Sequence, residues 1–123
     1  MRGKEKGEPV VLWGDGHQKR ELVYAPDFVK AALYLSDYVD NDIVNIGAGE
    51  EYSIREFAEK ICSIVDFDSA EIQYDTARYV GARSKVLEVS KLKRLMPKLV
   101  FTPLKRGLED TISWFSNQPE LLR

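Results

Sequence analysis

The chain has 123 residues, with 18 Lys and Arg against 20 Asp and Glu, 44% hydrophobic and 31% charged, which describes one domain with a modest core. A net charge of -2, with neither sign gathered into a long block, gives no electrostatic reason to expect nucleic acid or a membrane as partner. No apolar run approaches the roughly 18 residues of a membrane span, and none follows the N-terminal charges as a secretory signal requires. The expected location is the cytoplasm. Cys62 and His17 each stand alone, so an intrachain disulfide is excluded, and a zinc site, a Ser-His-Asp triad or a Cys-His pair would depend on a single residue.

Residues 1–9 are polar, carry Gly3, Gly7 and Pro9, and predict a loose lead-in to a domain over 10–123. The apolar run 10–13 reads as a strand stopped by Gly14-Asp15-Gly16, and 21–24 resumes an extended pattern, so a hairpin and an open loop between strands both fit. Pro26 suits a first helical turn, and Phe28, Ala31, Ala32, Leu35 and Val39 recur at helical spacing, which predicts a helix over 26–38. Ile43, Val44 and Ile46 then predict a short buried strand at 42–46, leaving into Gly47-Ala48-Gly49.

Ser53-Ile54-Arg55-Glu56 is a capping box, and behind it Ile54, Phe57, Ala58, Ile61, Ile64 and Val65 keep one apolar face to about residue 66. Strands are expected at 71–74 and 85–89, separated by a loop containing Gly81. Ser90 is expected to cap a short helix with Leu92, Leu95 and Met96 inward, ended by Pro97. Thr102 and Pro103 then read as the cap and first residue of a final helix with Leu104, Leu108, Ile112 and Phe115 on one stripe. The order predicts α/β or α+β, with at least one parallel crossover between 43–46 and 71–74.

Gly47-Ala48-Gly49 before the helix at Ser53 has the outline of a phosphate-binding glycine loop, but Tyr52 occupies the position of the third glycine, so a structural turn is the better reading. Trp13 offers a flat face at a strand end and Arg20 a fork for phosphate, although from composition alone a core Trp and a solvated Arg are the better reading. Arg78, Arg83 and Lys85 surround a glycine loop and either clamp an anion or merely solvate it. None of the six tyrosines has a Lys four residues on, so a Tyr-x-x-x-Lys pair is absent. Asp27 and Arg55 read as partners of helix ends or neighbours, Cys62 as an inert core thiol, and His17 as an exposed turn residue. Asp75 and Glu88 as an acid/base pair is a weak alternative, because nothing near either in the sequence would shift its pKa.

Taken together, Val11-Leu12-Trp13-Gly14-Asp15-Gly16, Lys19-Arg20-Glu21-Leu22-Val23-Tyr24 with Asp27, Asn45-Ile46-Gly47-Ala48-Gly49 with Ser53-Ile54-Arg55-Glu56, Lys85-Val86-Leu87-Glu88-Val89-Ser90-Lys91-Leu92, and Gly107-Leu108 with Trp114-Phe115 resemble, in order and spacing, the C-terminal part of the extended short-chain dehydrogenase/reductases, the NAD-dependent epimerase/dehydratase family. The resemblance spans about residues 8–118. It implies a small substrate-binding domain with part of the C-terminal edge of a Rossmann sheet and without the N-terminal dinucleotide-binding half. It also implies a nucleotide-sugar ligand, a GDP-sugar above others, with Trp13 bordering the nucleotide, Arg20 on the diphosphate, and Lys85 with Arg83 closing the pocket. No cofactor is expected on this chain itself. NADP(H) or NAD would serve the full-length enzymes, whose glycine-rich loop and Tyr-x-x-x-Lys pair are missing here. A chain of this kind is expected to be inactive alone and to form a homodimer through an unpaired strand edge at 42–46.

Overall fold

The computed structural model describes residues 2–118. In chain order the elements are α1 (Arg2–Lys6), β1 (Val11–Trp13), β2 (Lys19–Arg20), α2 (Ala25–Tyr38), β3 (Tyr52–Ser53), α3 (Ile54–Val65), a 3-10 turn (Ser69–Glu71), β4 (Gln73–Asp75), β5 (Ser84–Lys85), α4 (Ser90–Leu95) and α5 (Leu104–Ser116). The architecture is mixed α/β with two partial sheets. In the first, β1 and β4 pair in parallel with Leu12 opposite Tyr74. In the second, β2 lies in the middle, antiparallel to β3 and parallel to β5. Since β1 and β2 belong to different sheets, residues 14–18 form an open connection and not a hairpin.

Several expectations are met by the forces that motivated them. Pro26 sits in the first turn of α2, where its missing N–H is no loss. The capping box closes in both directions at α3: the Glu56 N–H donates to Ser53 Oγ at 3.2 Å, and the Ser53 N–H donates to Glu56 Oε2 at 2.7 Å. Two small cores result. Leu35, Val89 and Leu92 are buried between α2 and α4, with Val44, Ile46 and Phe101 against them. Ala58, Cys62 and Ile72 are buried between α3 and β4, with Val10, Leu12, Phe67 and Tyr74 alongside.

Other expectations are corrected. The lead-in winds into α1, and Lys4 Nζ donates to the carbonyl of Val65 at 2.7 Å, tying that helix to the end of α3. Residues 42–46 form no strand. Val44 and Ile46 face the first core, but Ile43 is 84% exposed. Side chains hold this segment instead of a ladder: Lys91 Nζ donates to the Ile43 carbonyl at 2.8 Å, and Asn45 Nδ2 donates to the Glu88 carbonyl at 3.1 Å. The parallel crossover anticipated between 43–46 and 71–74 is therefore not made, and β4 pairs with β1. Ser90 is the first residue of α4 rather than its cap, with its N–H donating to Glu88 Oε1 at 2.7 Å. Pro103 stays extended, so α5 starts at Leu104, and the freed Thr102 N–H donates to Asp27 Oδ2 at 2.6 Å, which joins α5 to α2.

The Ser53 backbone N–H, followed by the Ser53 hydroxyl, holds the Glu56 carboxyl below its ordinary value. A carboxyl depressed in the folded state contributes stability above its unfolded pKa and loses it as pH falls through the folded one. Acidification from pH 6 to about pH 3, across the usual glutamate range, should therefore lower the urea midpoint, and Glu56→Gln should show a shallower loss across that window. Parallel pH dependence in the two proteins would contradict the capping role.

Candidate functional site

The middle sheet positions the cations. The ladder of β2 and β5 sets Arg20 directly opposite Lys85, and Lys19 opposite Ser84. Beyond that pair the backbones part. Arg20, Glu21, Val23, Ile46, Gly47, Lys85, Val86 and Leu87 line an open cleft of about 560 Å³.

Arg20 does part of its work within the protein. Its Nη1 donates to the carbonyls of Lys19 (2.6 Å) and Ala82 (2.9 Å), and its Nη2 donates to that of Val80 (3.2 Å), which pins the 79–83 loop beside the cleft. A guanidinium carries about five N–H donors. Among the described residues no acceptor meets the Nε–H or the second Nη2 hydrogen.

Glu21 is the residue that sequence reasoning passed over. Its Oε1 accepts from the Gly49 N–H at 2.5 Å and its Oε2 from the Leu87 N–H at 2.9 Å, so one carboxylate bridges the glycine turn and the segment that follows β5. A Cβ on Gly47 would come within 2.6 Å of Glu21 Oε1, which is why the floor of the cleft carries no side chain. No side-chain pattern in the sequence marks it, because both of its partners are backbone amides.

Trp13 lies outside the residues lining this cleft. It is 61% exposed at the end of β1, with the Arg78 guanidinium carbon 5.4 Å from its ring centroid. Arg78 also pairs with Asp75 at 3.2 Å. The turn after Trp13 needs Gly14, whose φ is +83° and where any side chain would strike Val80. Val80 thus links the two sites, touching Gly14 on one side and held by Arg20 on the other.

Arg83 does not join Lys85. It lines a separate recess with His17, Lys19, Glu51 and Ser84, where Lys19 Nζ lies 3.7 Å from Glu51. Asp75 and Glu88 are engaged in local structure, Asp75 accepting from the Ala77 N–H and Glu88 from the Ser90 N–H. Arg55 Nε donates to the Asp15 carbonyl at 2.8 Å while its guanidinium covers the Tyr74 ring. The His17 N–H donates to Asp15 Oδ1 and holds that carboxyl below its ordinary value. His17 is exposed, and burial pushes the Cys62 thiol up, as an inert core position requires.

With this geometry in place, the comparisons with known proteins are specific. Residues 1–47 match the NAD dependent epimerase/dehydratase family. GDP-L-fucose synthase 1 of Arabidopsis thaliana is 36% identical over 88% of this chain and 33% of its own length. The chain is similar to the NAD dependent epimerase/dehydratase family. A second relative, dTDP-4-dehydro-6-deoxy-D-allose reductase of Streptomyces bikiniensis, is 32% identical over 90% of the chain and 33% of its own length. A crystal structure of a GDP-L-fucose synthetase from Naegleria fowleri bound to NADP superposes with a TM-score of 0.89 over 97% of this chain and 38% of that one, and at 24% identity it establishes the fold alone. The chain thus spans about a third of the length of the curated relatives it matches.

The hydrogen bonds of Arg20 give a direct test. Tyr79, 90% exposed in the 79–83 loop, should be cut faster by chymotrypsin in Arg20→Ala than in the parent, because two carbonyl anchors on that loop are lost. Equal cleavage rates would show that the loop is held by other means.

Proposed function

We propose that this chain is the nucleotide-sugar-binding, C-terminal portion of an NAD(P)-dependent epimerase/dehydratase/reductase, with Arg20 and Lys85 gripping the diphosphate and Trp13 bordering the nucleotide. The observation that carries the reading is the pairing of Arg20 with Lys85 across one ladder at the mouth of a cleft. Two cations fixed side by side match the charge of a diphosphate, and the planar fork of arginine suits its oxygens. The relatives named for GDP-L-fucose and for a dTDP-sugar agree on a nucleotide sugar, and we favour a GDP-sugar from the Trp-Gly turn with Arg seven residues on.

On this reading hydride transfer is not performed by these residues. The sequence has no Tyr-x-x-x-Lys pair. The residues at the glycine turn do not fit a dinucleotide pyrophosphate: Tyr52 replaces the third glycine, and the Gly49 N–H is already engaged by the Glu21 carboxylate. NADP(H) or NAD would belong to the remainder of a longer enzyme. Val29 and Leu33, one turn apart on α2 and both exposed, support a face that such a remainder covers. The compartment we infer is the cytoplasm, in keeping with a single cysteine that is buried and unpaired.

Calorimetric titration with GDP, UDP and dTDP tests the proposal. One nucleotide should bind saturably, and Lys85→Ala should weaken it about tenfold or more, the scale of a lost hydrogen bond to a charged group. Heat that is absent with all three nucleotides, or unchanged by Lys85→Ala, would overturn it.

A further inference from the structure

Resting on the reading of Arg20 and Lys85 as a diphosphate site, we propose that Glu21 is its positioning residue, a carboxylate spacer that keeps the cleft open and fixes Lys85 relative to Arg20. The ladder between β2 and β5 ends at the Arg20–Lys85 pair. Two residues further along, the Leu87 N–H is met not by a backbone carbonyl of the neighbouring strand but by Glu21 Oε2 at 2.9 Å. A side chain inserted where main chain would otherwise continue the ladder pushes the two segments apart by the length of that side chain. The cleft lies in the resulting gap, lined by Val23 and Gly47 together with Val86 and Leu87.

The other oxygen of the same carboxylate accepts from the Gly49 N–H at 2.5 Å. The spacer is therefore tied at both ends. Gly47 leaves room for it, since a Cβ there would fall 2.6 Å from Oε1 and 3.0 Å from Oε2. Both carboxylate oxygens are thus directed at N–H donors of the protein, which offsets part of the repulsion that a neighbouring anion would otherwise impose on a phosphate.

The sign of one substitution separates this role from simple electrostatics. Removing a negative charge beside two cations should tighten anion binding if charge alone matters. If Glu21 is a spacer, Glu21→Gln should weaken it, because an amide offers one acceptor oxygen for two N–H groups and turns an NH₂ toward the other.

The experiment titrates the 123-residue chain, Glu21→Gln, Glu21→Asp and Gly47→Ala with inorganic pyrophosphate, and follows amide hydrogen exchange at Gly49 and Leu87 in each. Glu21→Gln is expected to bind pyrophosphate about tenfold or more weakly, the scale of one lost charge-assisted hydrogen bond, with faster exchange at Gly49 and Leu87 and unchanged exchange in α3. Gly47→Ala should reproduce both effects by displacing the carboxylate, and Glu21→Asp should recover part of the affinity. Tighter binding by Glu21→Gln, or unchanged exchange at the two amides, would overturn the spacer role while leaving the anion site standing. Silence of the parent chain toward pyrophosphate would overturn the anion site and the positioning role together.

Discussion

Four consecutive residues, 18–21, tie together the start of α3, the 79–83 loop, the glycine turn and the segment after β5, and they do so with different groups. The Gln18 carbonyl accepts from the Ile54 N–H at the start of α3, and the Lys19 N–H donates to the Arg83 carbonyl. The Arg20 side chain gathers the 79–83 loop, and the Glu21 side chain gathers the glycine turn and the segment after β5. The strands on either side of β2 are only two residues long. Ladders this short supply few backbone bonds, so side-chain to backbone hydrogen bonds from Arg20 and Glu21 carry a large share of the order in this part of the fold.

That economy explains why structure and site cannot be separated here. Arg20 donates to three carbonyls and also lines the cleft. Glu21 closes backbone bonds that short strands leave open, and in doing so creates the space into which Arg20 and Lys85 project. The Trp13 end of the site is coupled to the Arg20 end through Val80, whose side chain abuts Gly14 and whose carbonyl Arg20 holds. No helix among the described residues is long and apolar enough to cross a membrane, and no cluster of metal-binding side chains occurs among them. The chemistry of the region is that of charge and hydrogen bonding.

The helices were legible in the sequence where local chemistry acts alone. The Ser53 and Glu56 reciprocity needs only residues within one turn, and Pro26 needs only its own missing N–H. Strand pairing depends on partners distant in sequence, and there the reading failed at 42–46: three apolar residues suggested a buried strand, yet no described neighbour completes a ladder, and Ile43 points to solvent. The site showed the same division. Arg20 and Lys85 were visible as residue types, but that they share a register while Arg83 turns to His17 and Glu51 follows from a ladder joining residues 65 positions apart. Glu21 could not be found by motif, because its role lies in two backbone amides, which no side-chain pattern reports.

The central claim is that the Arg20–Lys85 cleft receives a nucleoside diphosphate. The most direct measurement is an amide chemical-shift titration of the chain with GDP. The account predicts that the largest saturable shifts fall on Arg20, Gly47, Lys85 and Leu87, residues that line one cleft from three separate stretches of sequence. Shifts confined to the recess of His17, Lys19, Arg83 and Ser84, or no saturable shift at all, would contradict it.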